Sequence, residues 1–494
     1  MKKWRLTALL ANLVGTAICY ATELSDSTLS TGFEGSYEVE AAASVSSGGH
    51  TPFWLITNRS GLGSVKTNTG FVRAAAHAGG RIDRHWSLRG GVDLVGSWRS
   101  ESPFLIRELY GAIRYRAFEL SAGSRLENDR LVDMHLSSGD LLFSGNAVPI
   151  PQIKLSMPGY MDIPGLNGWL GFKAFFSIGW LTDSRWQRNY VGENKRYFSD
   201  VMYHSKGLRL RIGNPSIHPL TFEGGLEMAA QYGGKVMIDG EVIKKMPASL
   251  KDFFHVVIPS GGGGSDFPGE EVNVLGNHVG EWSGRLNWRL RQDLGLSAYY
   301  LHFFDDHSMM FFDYVWHDGL FGLELTLPSN PVVGKVVYEY LYMKDQSGPF
   351  LWDHTSDLPE QVSGDDDYYN NHLYAGWEHW GMGIGNPLII SPVWNGDNSL
   401  KFKCNRVVSH HVGLAGHPLS WLDWRLLASY TRGWGRYKVP YPFVKDNVNL
   451  LAEVTCSPAR LKGWSATAAV GLDFGNMLGK SRGVMLSIKK TGIL

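Results

Sequence analysis

The chain has 494 residues, and its 47 basic and 47 acidic side chains cancel to a net charge of zero, which excludes the basic excess of a nucleic-acid binder. Glycine is abundant at 59 residues and aromatics reach 13%, a mix that, without long apolar runs, points to an all-β protein with many turns. Length alone suggests two or three domains, but no linker-like break divides the composition, so one large unit is expected.

At the N-terminus Lys2, Lys3 and Arg5 form a positive head, Leu6 to Ile18 is apolar, and Ala21 is a small residue suited to cleavage. Residues 1–21 therefore read as a secretory signal peptide and residues 22–33 as a short periplasmic segment. Cys19 invites a lipid anchor, but Ile18 is larger than the small residue such sites want. Beyond residue 21 no apolar stretch is long enough for a transmembrane helix.

From residue 34 onward the pattern has period two. Ile113 and Tyr115 alternate with Arg114 and Arg116, Leu208, Leu210 and Ile212 with Arg209 and Arg211, and Trp282, Leu286, Trp288 and Leu290 with Arg285, Asn287, Arg289 and Arg291. Successive strand residues face opposite sides, so each segment has an apolar and a charged face. A soluble sandwich would share that pattern. Strands of about eleven residues, export, and aromatics near strand ends (Tyr338, Tyr340, Tyr342; Trp424, Tyr430, Trp434) favour a membrane barrel with its polar face inward.

Eighteen strands are expected, at 34–45, 70–82, 86–98, 105–116, 117–127, 151–163, 169–181, 203–213 and 220–232 in the first half. The second half places them at 281–291, 294–306, 318–328, 332–346, 400–413, 421–434, 447–457, 461–475 and 482–491. Connections after even strands are then short and the long ones (46–69, 128–150, 182–202, 233–280, 347–399) all follow odd strands, as in an outer-membrane barrel with long extracellular loops. That alternation decides for 151–163 as a strand and against 370–378.

Candidate functional residues fall in two groups. Inside the lumen, Arg209 and Arg211 on one strand, Glu223 and Glu227 on the next, and Arg285 and Arg289 on the third read as a ladder of opposite charges. Alternatively they form a basic lining that attracts an acidic solute. In the 347–399 insert, Asp365, Asp366, Tyr368, Tyr369, Asn370, Asn371, Trp377 and Trp380 supply flat rings with acids and amides around them, the inventory of a sugar site. Packing of that loop onto the barrel mouth would use the same rings.

Other chemistry is poorly supported. Cys404 and Cys456 are expected on the outward face of strands fourteen and sixteen, about 10 Å apart and beyond disulfide reach. His410 and His411 are adjacent on a strand, so they face opposite sides. Asp365 to Asp367 lack the spacing of an EF-hand loop, and Asp305-Asp306 with Asp365-Asp366-Asp367 could supply glycosidase carboxylates only if their separation allowed it. No metal or other cofactor, and no catalytic residue, is assigned.

The chain resembles the capsule assembly Wzi family of outer-membrane proteins in the form found in Bacteroidetes-type bacteria. The resemblance rests on Ser144-Gly145-Asn146-Ala147-Val148-Pro149-Ile150-Pro151, Tyr203-His204-Ser205-Lys206-Gly207-Leu208-Arg209-Leu210 and Leu275-Gly276-Asn277-His278. It continues through His302-Phe303-Phe304-Asp305-Asp306, Asp345-Gln346-Ser347-Gly348-Pro349 and Asn405-Arg406-Val407. It implies an eighteen-stranded lectin that holds capsular or other extracellular polysaccharide at the cell surface. A non-enzymatic monomer in outer-membrane lipid is expected, with the 347–399 and 233–280 loops over its mouth. The alternatives are a diffusion channel for anionic or saccharide solutes and a surface glycosidase. The few residues before the first strand leave no room for the periplasmic helical bundle that some members carry.

Overall fold

The computed structural model describes residues 33–258, 275–305, 310, 312, 317–346, 350–352, 361–363 and 366–494. The expected signal peptide, all of the 22–33 segment except Phe33, and Asp306 and Asp365 lie outside these. Period-two segments form one closed antiparallel barrel. Its first nine strands are β1 (Glu34–Gly48), β2 (Thr69–Arg81), β3 (Trp86–Trp98), β4 (Phe104–Tyr115), β5 (Phe118–Ser124), β6 (Gln152–Ser156, resuming at Met161–Asp162), β7 (Leu170–Trp180), β8 (Met202–Ile212) and β9 (Leu220–Tyr232). The second nine are β10 (Asn277–Arg291), β11 (Leu294–Phe304), β12 (Gly319–Thr326), β13 (Lys335–Met343), β14 (Val407–Leu419), β15 (Leu422–Gly435), β16 (Pro440–Cys456), β17 (Trp464–Gly475) and β18 (Ser481–Ile493). Both pieces of β6 pair with β7, and β18 closes the ring on β1 with Ser36 opposite Ile493. The barrel has eighteen strands.

The expected alternation holds. Turns after even strands are short, and the long connections follow β1, β5, β7, β9 and β13. Outward positions are exposed and apolar, among them Leu94, Ile113, Leu210, Phe222, Leu286, Val412 and Leu486. Trp86, Trp169, Trp288, Trp421 and Trp464 ring the short-turn end and Trp98 and Trp180 the long-loop end, the two aromatic girdles of a membrane barrel.

Inward positions are of two kinds. Many are charged, but a group on β11, β13 and β15 is apolar and buried: Leu301 and Phe303 on β11, Val337, Leu341 and Met343 on β13, Leu427 on β15. These meet Phe53, Trp54 and Leu55 from the loop after β1, Leu136, Leu141 and Leu142 from the loop after β5, and Tyr368, Tyr369, Trp377, Leu388, Ile389 and Phe402 from the insert after β13. Three inserts thus fold back into the barrel and form its hydrophobic core. Each large apolar side chain removed from water there stabilises by roughly 1.5–3 kcal/mol.

One strand is displaced from its expected position. Strand fourteen was expected at 400–413, whereas β14 runs Val407–Leu419 and residues 400–406 belong to the plug. Cys404 consequently does not face lipid. It is 2% exposed inside the barrel, and burial pushes its thiol up to about 11. Cys404 and Cys456 are both free.

Candidate functional site

The stretch expected to present sugar-binding rings is instead the centre of the plug. Tyr368, Tyr369 and Trp377 are each 0% exposed. The ring of Phe303 on β11 meets Tyr368 and Tyr369 edge-on at 5.0 and 5.1 Å between centroids, and Trp377 lies stacked over Tyr203 of β8 at 6.1 Å. The polar atoms of Trp377 and Tyr369 are engaged within the chain. Trp377 Nε1 donates to Leu142 O at 2.8 Å, and Tyr369 Oη donates to Leu141 O while accepting from Asn386 N.

The amides are engaged in the same way. Asn370 bonds Phe402 through both its amide nitrogen and oxygen, each at 2.9 Å, and donates to Asp367. Asn371 donates to Asn277 at 3.1 Å. Asp366 is half-buried, and Trp380 packs against Val95, Leu105 and Val148. A buried amide or phenol whose donors and acceptors are satisfied has nothing left for a ligand. Tyr369, Asn370 and Trp377 are therefore taken up by the fold, and Tyr368 is closed off with them by burial, because the insert descends into the lumen instead of lying over it.

Below the plug the lumen is charged, and of the pairs expected in a ladder across neighbouring strands Arg209–Glu227 is present while the other members have different partners. Arg209 meets Glu227 on the next strand at 2.5 Å, and Arg130 from the loop after β5 meets the same Glu227 at 2.8 Å. Arg211 pairs with Asp162 at 2.6 Å, Glu223 accepts from Tyr160 Oη at 2.6 Å, and Arg285 meets Glu324 at 3.1 Å. Arg289 lies at the short-turn end and donates to Pro215 O at 3.1 Å. A cavity of about 180 Å³ remains here, edged by Arg125, Arg130, Lys154 and Lys173 and by Glu119, Glu127 and Asp129. Lys154–Glu127 at 2.7 Å, Lys173–Asp129 at 2.6 Å and Arg125–Glu119 at 2.7 Å leave these charges matched. Insert residues that sequence could not place against the wall supply half of the ladder. His410 and His411 do face opposite sides, with His411 buried against Leu136 O and Ser429.

A different surface is concave and bordered by cations. At the long-loop end a three-stranded sheet (Arg196–Ser199, Lys235–Ile238 and Glu241–Lys245) stands beside plug segments 371–375 and 395–401. The strands are held by a turn with Asp239 at positive φ followed by Gly240, where glycine costs no Cβ strain. Between them lies a cavity of about 510 Å³. Four cations border it: Lys195, Arg196, Lys244 and Lys401. Among the described residues its one carboxylate, Asp397, is already paired with Lys403 at 2.7 Å. Phe198 and Tyr374 give it aromatic walls, and Asn398 and His372 give it polar edges.

The electrostatics of this cavity follow from crowding. Burial, opposed by Asp367 and reinforced by Arg436 and Arg196, pulls Lys401 down to about 8. Lys401 Nζ also donates to Asn371 O. Burial and then Lys401, Lys244 and Lys438 hold His372 below its ordinary value, so it is neutral near pH 7. Among the described residues no carboxylate pairs with Arg196. A concave surface with aromatic walls, hydrogen-bonding edges and a guanidinium free of carboxylate partners among the described residues can hold an anionic, ring-shaped solute. Its residues come from three separate stretches of chain, which is why no local motif revealed it.

The fold is that of an outer-membrane β-barrel. Over 92% of this chain and 83% of the other, it superposes with a TM-score of 0.54 and 13% identity on a solved structure described as Wzi, an outer-membrane protein involved in group 1 capsule assembly in Escherichia coli and a carbohydrate-binding β-barrel. Pseudomonas aeruginosa OccK3 (OpdO) aligns over 98% of this chain and 100% of its own at 11% identity, with a TM-score of 0.47. Acinetobacter baumannii OccAB4 aligns over 94% and 99% at 10% identity, with a TM-score of 0.46. No family model matches the sequence, and no curated protein does.

Proposed function

We propose that this protein is a plugged outer-membrane barrel that binds an acidic surface polysaccharide at its long-loop end, in the manner of a lectin, and helps hold capsule to the cell. The observation that carries this reading is the 510 Å³ cavity with its aromatic walls and with Arg196, which no carboxylate pairs with among the described residues. Long loops of such barrels face the exterior, so the cavity would meet extracellular glycan. Likeness to a carbohydrate-binding barrel of the same strand number supports the reading. So does the plug: a lumen filled in part with buried Trp, Tyr, Phe and Leu is poorly suited to free diffusion. Catalysis is not part of the proposal, since among the described residues the cavity brings no pair of free carboxylates together.

The test is binding of purified barrel to uronic-acid, sulfated and neutral oligosaccharides, with planar-bilayer conductance measured on the same preparation. Acidic sugars should bind, neutral ones weakly, and conductance should be low. Free conductance without glycan binding would instead establish the channel.

A further inference from the structure

The insert after β9 contains a helix, α2 (Leu250–Val257), that lies neither in the lumen nor over the mouth. Side-chain parity places it. On β9 the odd residues Glu227, Ala229 and Gln231 face inward, so Ala230 and Tyr232 face out, yet both are 1% exposed. They are covered by Val256 and Phe253 of α2. Phe253 also meets the outward-facing Phe176 of β7 and His204 of β8, edge-on at 6.5 and 6.0 Å. The helix is therefore applied to the outside of the barrel wall.

Its depth follows from register. Met202 at the start of β8 pairs with Trp180, a girdle residue at the long-loop end. Lys206 sits four residues, about 13 Å, along the tilted strand from that level, and the next outward residue, Leu208, is 50% exposed in the apolar belt. Lys206 Nζ donates to the carbonyl of Val257, the last residue of the helix. Two groups that hydrocarbon would penalise, an outward lysine and a helix end with unused carbonyls, satisfy each other. At the rim the other end is closed by a capping box between Ser249 and Asp252.

The free face of α2 is a stripe at helical spacing: Leu250 is 80% exposed, Phe254 63% and Ile258 69%. We propose that this stripe is buried in the acyl chains of the outer leaflet, so that α2 is a membrane-embedded anchor for the insert. Continuity with the lipid-facing belt directly below it is the reason for choosing lipid as the occupant. The same insert supplies Val236, Ile243 and Lys244 to the cationic cavity, so the anchor moors one wall of that cavity to the membrane. The proposal rests on the reading of the barrel as an outer-membrane protein.

The test uses the full exported chain in liposomes, with Cys456 replaced by serine, Cys404 left buried, and a fluorophore at Phe254→Cys, Leu208→Cys or Asp239→Cys. Quenching by nitroxide-labelled lipid is compared with quenching by aqueous iodide. Position 254 should follow 208, with strong lipid quenching and at least about fivefold less iodide quenching than the hairpin tip at 239. Position 254 behaving like 239 would overturn the anchor while leaving the barrel intact. Shielding from both quenchers would overturn it in favour of a protein partner. Failure of lipid to quench 208 would remove the membrane reading itself, and the anchor with it. Lys206→Met should raise iodide quenching at 254 about twofold or more, and an unchanged value would overturn the lysine tie.

Discussion

Two regions of the long-loop half are built from the same kinds of residue and do opposite things. The plug centre around Tyr368–Trp377 and the cavity beside Phe198 and Tyr374 both combine rings, amides, acids and bases. In the plug, the donors of Asn370 and Trp377 and the phenol of Tyr369 are satisfied within the chain, and the rings are fully covered. In the cavity, Arg196 lacks a carboxylate among the described residues and the polar edges face open space. Composition is shared by a sugar site and a polar core, and only the fate of the hydrogen-bonding atoms separates them.

The sharpest way to break the comparison is Trp377→Ala. Removing a fully buried indole from the plug should cost about 3–5 kcal/mol, measured as loss of thermal stability. Conductance should appear in planar bilayers as the plug loosens. Were Trp377 a sugar platform, the variant would keep its melting temperature and lose glycan binding.

The converse substitution belongs to the cavity. Arg196→Ala combined with Lys401→Ala should lower affinity for an acidic oligosaccharide by about tenfold to a hundredfold, with thermal unfolding unchanged. Equal losses for acidic and neutral sugars would point to a shape change, not to charge. A smaller effect is expected from pH. Lys401 is charged below about 8 and neutral above it, so acidic-sugar affinity should be full at pH 7 and fall as pH rises through 8. In Lys401→Ala that dependence should flatten, which a binding titration at several pH values will check.

Legibility in the sequence followed the same division. The wall was readable because period two and loop-length alternation are properties of an extended chain crossing a layer of fixed thickness. All eighteen strands were found, and only β14 was displaced, because residues 400–406 continue its polar-apolar rhythm while belonging to the plug. The plug itself was missed, although a signal existed. Tyr299, Leu301 and Phe303, and Val337, Leu341 and Met343, are apolar at inward positions, and a water-filled lumen would not want them. Strands apolar on both faces have something packed inside them. The cavity and α2 were less accessible, since one is assembled from distant stretches and the other from a single apolar stripe within an insert.

The smallest expected effect concerns the joint between the two regions. The loop after β7 carries α1 (Ser184–Val191), and Gln187 on it donates at 3.1 Å both to Asp183 and to Glu378 of the plug. Glu378 is 0% exposed and also accepts from Gly381 N at 2.7 Å. Burial, and then the neighbouring Asp183, push the Glu378 carboxyl well above the usual carboxylate range. A carboxyl whose folded-state value is raised contributes stability that is fully present below its unfolded value and lost as pH rises through the folded one. Glu378→Gln stays neutral throughout and retains an acceptor for Gly381 N. Variant and parent should therefore unfold together near pH 4, with the variant gaining a few degrees as pH is raised to 9. Parallel melting curves across that range would mean that Glu378 and Asp183 do not oppose one another, and that the joint between plug and cavity wall is insensitive to charge.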